Sequence, residues 1–249
     1  FQSALREYRM PLKAVIFDVY NTLFQNDNSY WIDVFGEICR IQKLPVSPDD
    51  LWKHWKLFEV SFRQTRTNME NPEKSPPFKT YQVAWEEAFV NAFNKLGING
   101  DPEHASQLSV DGMASRQPYE DTFLCLEYVR RNWKMALLTN ADNDFIIPIL
   151  RRYELSFDAV VTSEMARAYK PDPRAFNRIL KETGVLAEDT LYVGDTLFDD
   201  VHGSKLAGMK AAWLNRYGID MDTKLIRPDY EVAGLTELMD ILKSLKEVG

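Results

Sequence analysis

The sequence predicts an α/β protein with a Rossmann-like parallel sheet core and an inserted helical cap domain. Three observations support this prediction. After residue 118, short apolar runs alternate with helical patterns, which is typical of parallel strands covered by helices on both faces. A similar apolar run ends at Phe17, long before the others, and the intervening residues have a helical pattern. Polar residues that suit one chemical site follow several of the apolar runs.

Six strands are expected in the core. The first ends at Phe17, and the others are the apolar runs at 134 to 138, 158 to 162, 190 to 194, 210 to 214 and, more weakly, 229 to 232. More than a hundred residues separate the first two runs, far more than one crossover helix needs. We therefore assign residues 11–24 and 118–249 to a discontinuous core and residues 25–117 to the cap.

Two cap helices show clear boundaries. Ser47 and Pro48 supply an N-cap and a proline at the first helical position, and Gly97 closes a second apolar stripe that runs from Tyr81 to Leu96. The first stripe consists of Leu51, Trp55, Phe58 and Phe62.

Four of the six tryptophans lie in the cap. We interpret them as the core of a helical bundle, in preference to a pocket that grips an apolar substrate group. They are Trp31, Trp52, Trp55 and Trp85.

Composition limits the classes of partner. The chain has 249 residues, 45% of them hydrophobic, and a net charge of -7 without a basic block. We expect a small-molecule substrate, with no nucleic-acid or membrane partner. Two cysteines without CxxC spacing, together with the lack of a run of ~18 apolar residues or a signal pattern, lead us to expect a cytoplasmic protein. The sequence does not indicate an oligomeric state.

Asp18 directly follows the first strand. A carboxylate at the carboxyl end of a central strand points into the crevice where open α/β sheets bind ligands, so Asp18 is the candidate nucleophile. Tyr20, Asn21 and Thr22 complete this first motif. Asparagine tolerates a left-handed turn, and the Thr22 hydroxyl can hold the loop by a hydrogen bond.

Two further segments offer groups for an anionic substrate. Thr139 and Asn140 end the run at 134 to 138, where a hydroxyl and an amide can donate to phosphoryl or carboxylate oxygens. Lys170 precedes a proline between a strand and a helix. Its ammonium group would neutralise Asp18 and the transferring group.

The segment after the fourth run has the pattern of a magnesium motif. It contains Gly-Asp, four residues and a second Asp, which are Asp195 and Asp200. Magnesium prefers oxygen ligands and usually takes one or two carboxylates. We expect Asp18, the backbone carbonyl of Tyr20 and Asp195 to bind Mg²⁺ directly, with Asp200 holding a coordinated water. Asp199 would make a fourth carboxylate in the group.

The order carboxylate, hydroxyl with amide, lysine and acidic pair resembles the haloacid dehalogenase-like (HAD) hydrolase superfamily of the helical-cap (C1) type. The resemblance covers nearly the whole chain and implies a covalent intermediate at Asp18, on phosphorus or on carbon. Most phosphatases of the superfamily carry a second Asp where this chain has Tyr20. That Asp protonates the leaving group, and losing such a group typically costs about 10²-fold to 10⁴-fold in rate.

Two motifs favour different reactions. L-2-haloacid dehalogenases carry Tyr at the position of Tyr20, because halide leaves without a proton. Their fourth motif contains Ser and Asn in place of Gly-Asp, and they have an Arg roughly where this chain has Trp52 and Lys53. The three histidines show no metal-ligand spacing, and only His202 is a candidate substitute proton donor.

We therefore expect a magnesium-dependent phosphohydrolase that acts on a small phosphorylated substrate through an aspartyl-phosphate at Asp18. The alternatives are a 2-haloacid dehalogenase, or a catalytically impaired binding protein that retains the fold.

Overall fold

A single parallel sheet forms the core. The computed structural model describes residues 12–247. Within them, six strands pair in the order β3-β2-β1-β4-β5-β6, and every neighbouring pair is parallel. The predicted α/β class with a parallel sheet and a helical cap is confirmed. The strands are β1 Ala14–Phe17, β2 Lys134–Thr139, β3 Ala159–Thr162, β4 Thr190–Gly194, β5 Lys210–Leu214 and β6 Tyr230–Val232.

Strand β1 lies in the middle of the sheet, and all four of its side chains are buried. Side chains alternate between the two faces of a strand, so Val15 and Phe17 pack in one apolar cluster and Ile16 in another. Both faces are therefore covered, which explains why the strand is a continuous apolar run. The register sets Phe17 beside Leu137 of β2 and Val193 of β4, so the residues that follow these strands meet at one edge.

In the described part of the chain, six helices flank the sheet. Helix α8 shows how the sequence sets their ends: the Asp172 side chain accepts from the N–H of Arg174, Pro173 takes the first position, and Gly184 ends the helix with a φ of 64°. The helices are α5 Thr122–Arg130, α6 Asn143–Arg152, α7 Ser163–Ala166, α8 Pro173–Thr183, α9 Gly203–Leu206 and α10 Leu235–Glu247. A π-helical turn, Leu197–His202, leads into α9.

Four helices make up the cap: α1 Asn28–Gln42, α2 Pro48–Thr65, α3 Tyr81–Leu96 and α4 Pro102–Ala114. The predicted boundaries are confirmed, because the Ser47 side chain accepts from the N–H of Asp50 and Gly97 ends α3 with a φ of 65°. Residues 66 to 80 connect α2 and α3 and contain one 3₁₀ turn, Pro72–Lys74.

The two chain segments that enter and leave the cap lie side by side. Phe24 and Pro118 form an antiparallel bridge, and the N–H of Gln25 donates to the carbonyl of Gln117 at 2.8 Å. The predicted division at 24/25 and 117/118 falls at this crossing. Residue 11 and residues 248 and 249 of the predicted core lie outside the described residues. None of the helices described between 12 and 247 combines the length and apolar character that a membrane span requires.

Candidate active site

Lys170 joins two carboxylates, one directly after β1 and one in the π-helical turn after β4. Its Nζ donates to Oδ1 of Asp18 at 2.7 Å, to Oδ1 of Asp200 at 2.6 Å and to the hydroxyl of Tyr192 at 2.8 Å. Burial alone would lower the pKa of Lys170, but the carboxylates of Asp18 and Asp200 raise that pKa well above its ordinary value. The ammonium group is therefore charged, and all three of its protons are used.

Asp18 lies directly beyond β1, where its backbone N–H donates to the carbonyl of Val193 at 2.9 Å. Burial raises the pKa of Asp18 to about 6, against the attraction of Lys170 and together with the repulsion of Asp200. The Thr22 hydroxyl lies 3.5 Å from Asp18 Oδ2, which is too long for a strong hydrogen bond. Asn21 adopts the left-handed conformation, with a φ of 60°, as expected from the tolerance of asparagine for this turn.

The hydroxyl of Tyr20 is bound to the cap. Its hydroxyl donates to the carbonyl of Met113 in α4 at 3.0 Å. Burial raises the pKa of Tyr20 far above the ordinary value of a phenol, so the group stays protonated at neutral pH. A phenol with a raised pKa whose proton is held by a backbone carbonyl is poorly suited to the acid–base role that an Asp would have there.

Three carboxylates meet beside the candidate nucleophile. One oxygen each of Asp18, Asp195 and Asp200 can be chosen so that all lie within 4.8 Å of one another. Burial, followed by the repulsion of Asp200 and Asp18, raises the pKa of Asp195 well above its ordinary value. Only Lys170 supplies a cation that contacts this group among the described residues. An all-oxygen donor set with excess negative charge fits a hard divalent cation such as Mg²⁺.

Both carboxylate oxygens of Asp200 accept hydrogen bonds. Its Oδ1 accepts from Lys170 and Tyr192, and its Oδ2 accepts from the N–H of Thr196 at 2.9 Å and the Thr196 hydroxyl at 2.6 Å. A Cβ atom on Gly194 would lie 2.4 Å from Asp200 Cγ, so only glycine allows this approach. With both oxygens engaged, Asp200 is better placed to hold a water than to bind a metal directly.

Asp199 is not part of the carboxylate cluster, which corrects the expectation of a four-carboxylate group. Its Oδ2 accepts from Arg66 Nη2 and from Asn140 Nδ2, both at 3.1 Å. Arg66 follows cap helix α2, is 8% exposed and also donates to the Tyr81 hydroxyl. Arg66 lies just beyond the apolar stripe of α2, and nothing in the local sequence pattern indicates such a contact.

Asn140 positions Lys170. Its Nδ2 donates to the carbonyl of Lys170 at 3.1 Å as well as to Asp199, and its Oδ1 accepts from the N–H of Lys170 at 2.6 Å. Because an amide nitrogen has two protons, the expected donation from this side chain to a substrate would require breaking one of these bonds. Thr139 lines the same cavity, and its role as a donor stays a prediction.

A cavity of about 290 Å³ extends from Asp18 to the cap. All four cap tryptophans line it, so they form a cavity wall as well as the bundle core that we predicted. Lys56, Glu59 and Arg63 of α2 also line it. Two candidates for substrate contact or proton transfer do not line this cavity. The Lys53 side chain is 68% exposed beside Asp50, and His202 stacks on Phe198.

The comparisons with known proteins agree on one family. A family model described as haloacid dehalogenase-like hydrolase matches residues 12–208. The chain is 25% identical to haloacetate dehalogenase H-2 of Moraxella sp. (strain B) over 239 residues, which cover 93% of this chain and 98% of that protein. It is 34% identical to the phosphoserine phosphatase of Thermus thermophilus over 165 residues, 61% of this chain and 63% of that protein.

A solved structure has the same fold. The L-2-haloacid dehalogenase of Xanthobacter autotrophicus, with chloropropionic acid covalently bound, superimposes with a TM-score of 0.74 at 22% identity and covers 93% of this chain and 98% of that one.

Proposed function

Because the chain belongs to the haloacid dehalogenase-like hydrolase family, we propose that Asp18 is its nucleophile and that the leaving group departs without a proton from residue 20. The hydrogen bond from the Tyr20 hydroxyl to the carbonyl of Met113 carries this proposal. Halide is a leaving group that needs no proton. The reaction that we favour is therefore hydrolytic removal of halide from a small 2-haloacid.

Relatives of the haloacid type support this choice. Haloacetate dehalogenase H-2 is similar over almost the full length of both chains, cap included, whereas the phosphoserine phosphatase matches over about three-fifths. The phosphohydrolase that the sequence motifs favoured therefore becomes the second candidate.

The proposed reaction has two steps. A carboxylate oxygen of Asp18 attacks the halogen-bearing carbon, the carbon–halogen bond breaks, and halide leaves with the bonding electrons. Water then hydrolyses the resulting ester, which restores Asp18 and yields a 2-hydroxy acid and a proton. Lys170 holds Asp18 Oδ1 and reduces the repulsion between Asp18 and an anionic substrate.

Chloride release from 2-chloropropionate tests this proposal. We expect release by the parent protein in the presence of a chelator, and none by Asp18→Asn. After turnover in H₂¹⁸O, the label should appear in the peptide that contains Asp18, since water attacks the enzyme ester. Release that requires Mg²⁺ would contradict the proposal.

The carboxylate cluster favours a second candidate, magnesium-dependent hydrolysis of a small phosphorylated substrate through an aspartyl-phosphate at Asp18. Asp18, the Tyr20 carbonyl and Asp195 would hold Mg²⁺, with Asp200 acting through a water. The ion would offset charge on the phosphoryl oxygens. Thr139 would donate to those oxygens, and Lys170 would stay on Asp18. Without an acid at residue 20, only good leaving groups such as aryl or acyl phosphates would react well.

Phosphate release from p-nitrophenyl phosphate distinguishes the two candidates. Magnesium-dependent release that disappears in both Asp18→Asn and Asp195→Asn would support the second candidate over the first. Chelator-insensitive chloride release would do the reverse. A protein that releases neither product would contradict both, and would support the impaired binding protein that the sequence left open.

A further inference from the structure

The cap end of the cavity is an aromatic wall with fixed geometry. Trp31, Trp55 and Trp85 pack against one another in a triangle, with ring centroids 5.2 to 5.9 Å apart. Trp85 stacks on Phe145 at 5.1 Å with an interplanar angle of 9°. Mutual packing of this kind fixes the rings. All of these residues, with Trp52, line the cavity that contains Asp18.

Two polar atoms in this wall have no partner. The indole nitrogens of Trp55 and Trp85 are buried and have no hydrogen-bond acceptor within residues 12–247, and both residues are 2% exposed. Buried donors are nearly always satisfied in folded proteins, so an orphaned pair in a cavity wall needs an explanation. A ligand that brings an acceptor oxygen to the wall would provide one.

A cation lies on the same side of the cavity. Lys56 Nζ sits 4.3 Å from the centre of the Trp52 ring. The neighbouring carboxylate of Glu59 is bound by Arg63 Nε at 2.8 Å, which leaves the Lys56 ammonium without a salt bridge in the described part of the chain. The other cation at the cavity's inner end, Lys170, is fully used by Asp18, Asp200 and Tyr192. Lys56 is therefore available to an anionic group of a ligand.

We propose that the cap end of this cavity binds the planar aromatic group of an aromatic acid, with Lys56 pairing with the carboxylate and the Trp55 and Trp85 N–H groups donating to oxygens of the ligand. The substrate would then be an aryl-substituted acid whose reacting atom lies at Asp18. This inference rests on the proposed function only for the position of the reacting atom. Small acids such as acetate or 2-chloropropionate would still reach Asp18 but would bind more weakly, because they would leave most of the aromatic wall without contacts.

Binding to the Asp18→Asn protein tests this inference without turnover. Phenylacetate and acetate are compared by isothermal titration calorimetry. We expect phenylacetate to bind at least about tenfold more tightly than acetate, which corresponds to a difference of roughly 1.4 kcal/mol in binding free energy. Trp55→Phe and Trp85→Phe keep the rings and remove the donors, so each should weaken phenylacetate binding severalfold. Trp133→Phe, which changes an indole packed on Tyr128 outside the cavity, should not.

Lys56→Met and Lys53→Met form a matched pair on the same helix. Lys56→Met should weaken phenylacetate binding by about tenfold and leave the binding of neutral benzyl alcohol unchanged, whereas Lys53→Met should change neither. Equal affinities for phenylacetate and acetate, or equal effects of the two lysine variants, would overturn the inference. Because no step of catalysis enters these measurements, failed turnover with selective binding contradicts only the proposed function.

Discussion

The carboxylate of Asp142 in the core accepts a hydrogen bond from the backbone N–H of Tyr81, the first residue of cap helix α3, at 2.6 Å. The N–H of Gln82 donates to the same oxygen at 3.3 Å, so Asp142 stabilises the positive end of a helix that belongs to the other domain. The Asp199–Arg66 pair is a second link between cap and core. The two domains are therefore joined by charged groups immediately beside the site.

Asp142 should make stability fall as pH rises. Burial raises its pKa to about 7, although the N–H groups of Gln82 and Tyr81 act in the opposite direction. In the unfolded chain the pKa is about 3.9, so between the two values the folded state binds more protons. The Asp142 contribution to the free energy of unfolding is fully present below about pH 4 and is lost by about pH 7.

Urea unfolding at pH 5 and pH 8 measures this contribution. Asp142→Asn keeps an oxygen for the two N–H groups but cannot ionise, so its stability should change less between the two pH values than that of the parent. Other buried carboxylates titrate in both proteins and cancel in the comparison. An identical pH dependence in parent and variant would show that Asp142 does not titrate in this range.

Tyr20→Phe should leave the turnover number within a few-fold of the parent, because the lost hydroxyl contacts only the Met113 carbonyl. Its free energy of unfolding should drop by about 1 kcal/mol for the missing hydrogen bond. Steady-state kinetics on whichever substrate is turned over, together with denaturant unfolding, measure the two effects. A loss of about 10²-fold or more in turnover would mean that the phenol takes part in proton transfer.

Gly194→Ala should displace Asp200, since the added methyl group would overlap its carboxylate. We expect a destabilisation of about 1–3 kcal/mol and a strong loss of activity, because Asp200 also orients Lys170. Gly36→Ala is the control: it lies in α1, and its nearest neighbour would be 4.0 Å away. That change should stabilise the protein by roughly 0.5–1 kcal/mol. Similar unfolding midpoints for the two variants would contradict the assigned contact.

Arg66→Met and Asp199→Asn should be coupled. Each single change leaves the other charged group of a largely buried pair without its partner, so the double variant should be more stable than the sum of the two effects implies, by about 0.5–3 kcal/mol. Thermal or urea unfolding of the four proteins gives the coupling energy. Simple additivity would mean that the pair contributes nothing to holding the cap.

The strands and the convergence of the site were predictable for the same reason. Parallel strands buried on both faces are apolar runs, and each run in this sequence became a strand. Since the carboxyl ends of parallel strands share an edge, polar residues after β1 and β4 had to lie close together. Asp18, Asp195 and Asp200 do so.

Contacts between cap and core were not predictable from the sequence. Arg66 and Asp142 lie in segments without periodicity, and their partners depend on how two domains pack. Lys53 and Lys56 are three residues apart, about 60° around the helix axis, so a small rotation of α2 decides which lysine lines the cavity. An apolar stripe also has the same pattern whether it faces a neighbouring helix or a cavity. The sequence therefore predicted the four tryptophans as bundle core but not as cavity wall.

The central position of β1 has a consequence for synthesis on the ribosome. This strand is made first, but both strands that flank it, β2 and β4, begin at residues 134 and 190. At 5–20 residues per second, roughly 6 to 24 s pass before the first flanking strand is made. Throughout that time an apolar strand has no neighbour in the sheet, while the cap helices, whose contacts are closer in sequence, are already complete. We therefore expect the nascent chain to fold from the cap outward and to need protection of β1 until its neighbours emerge.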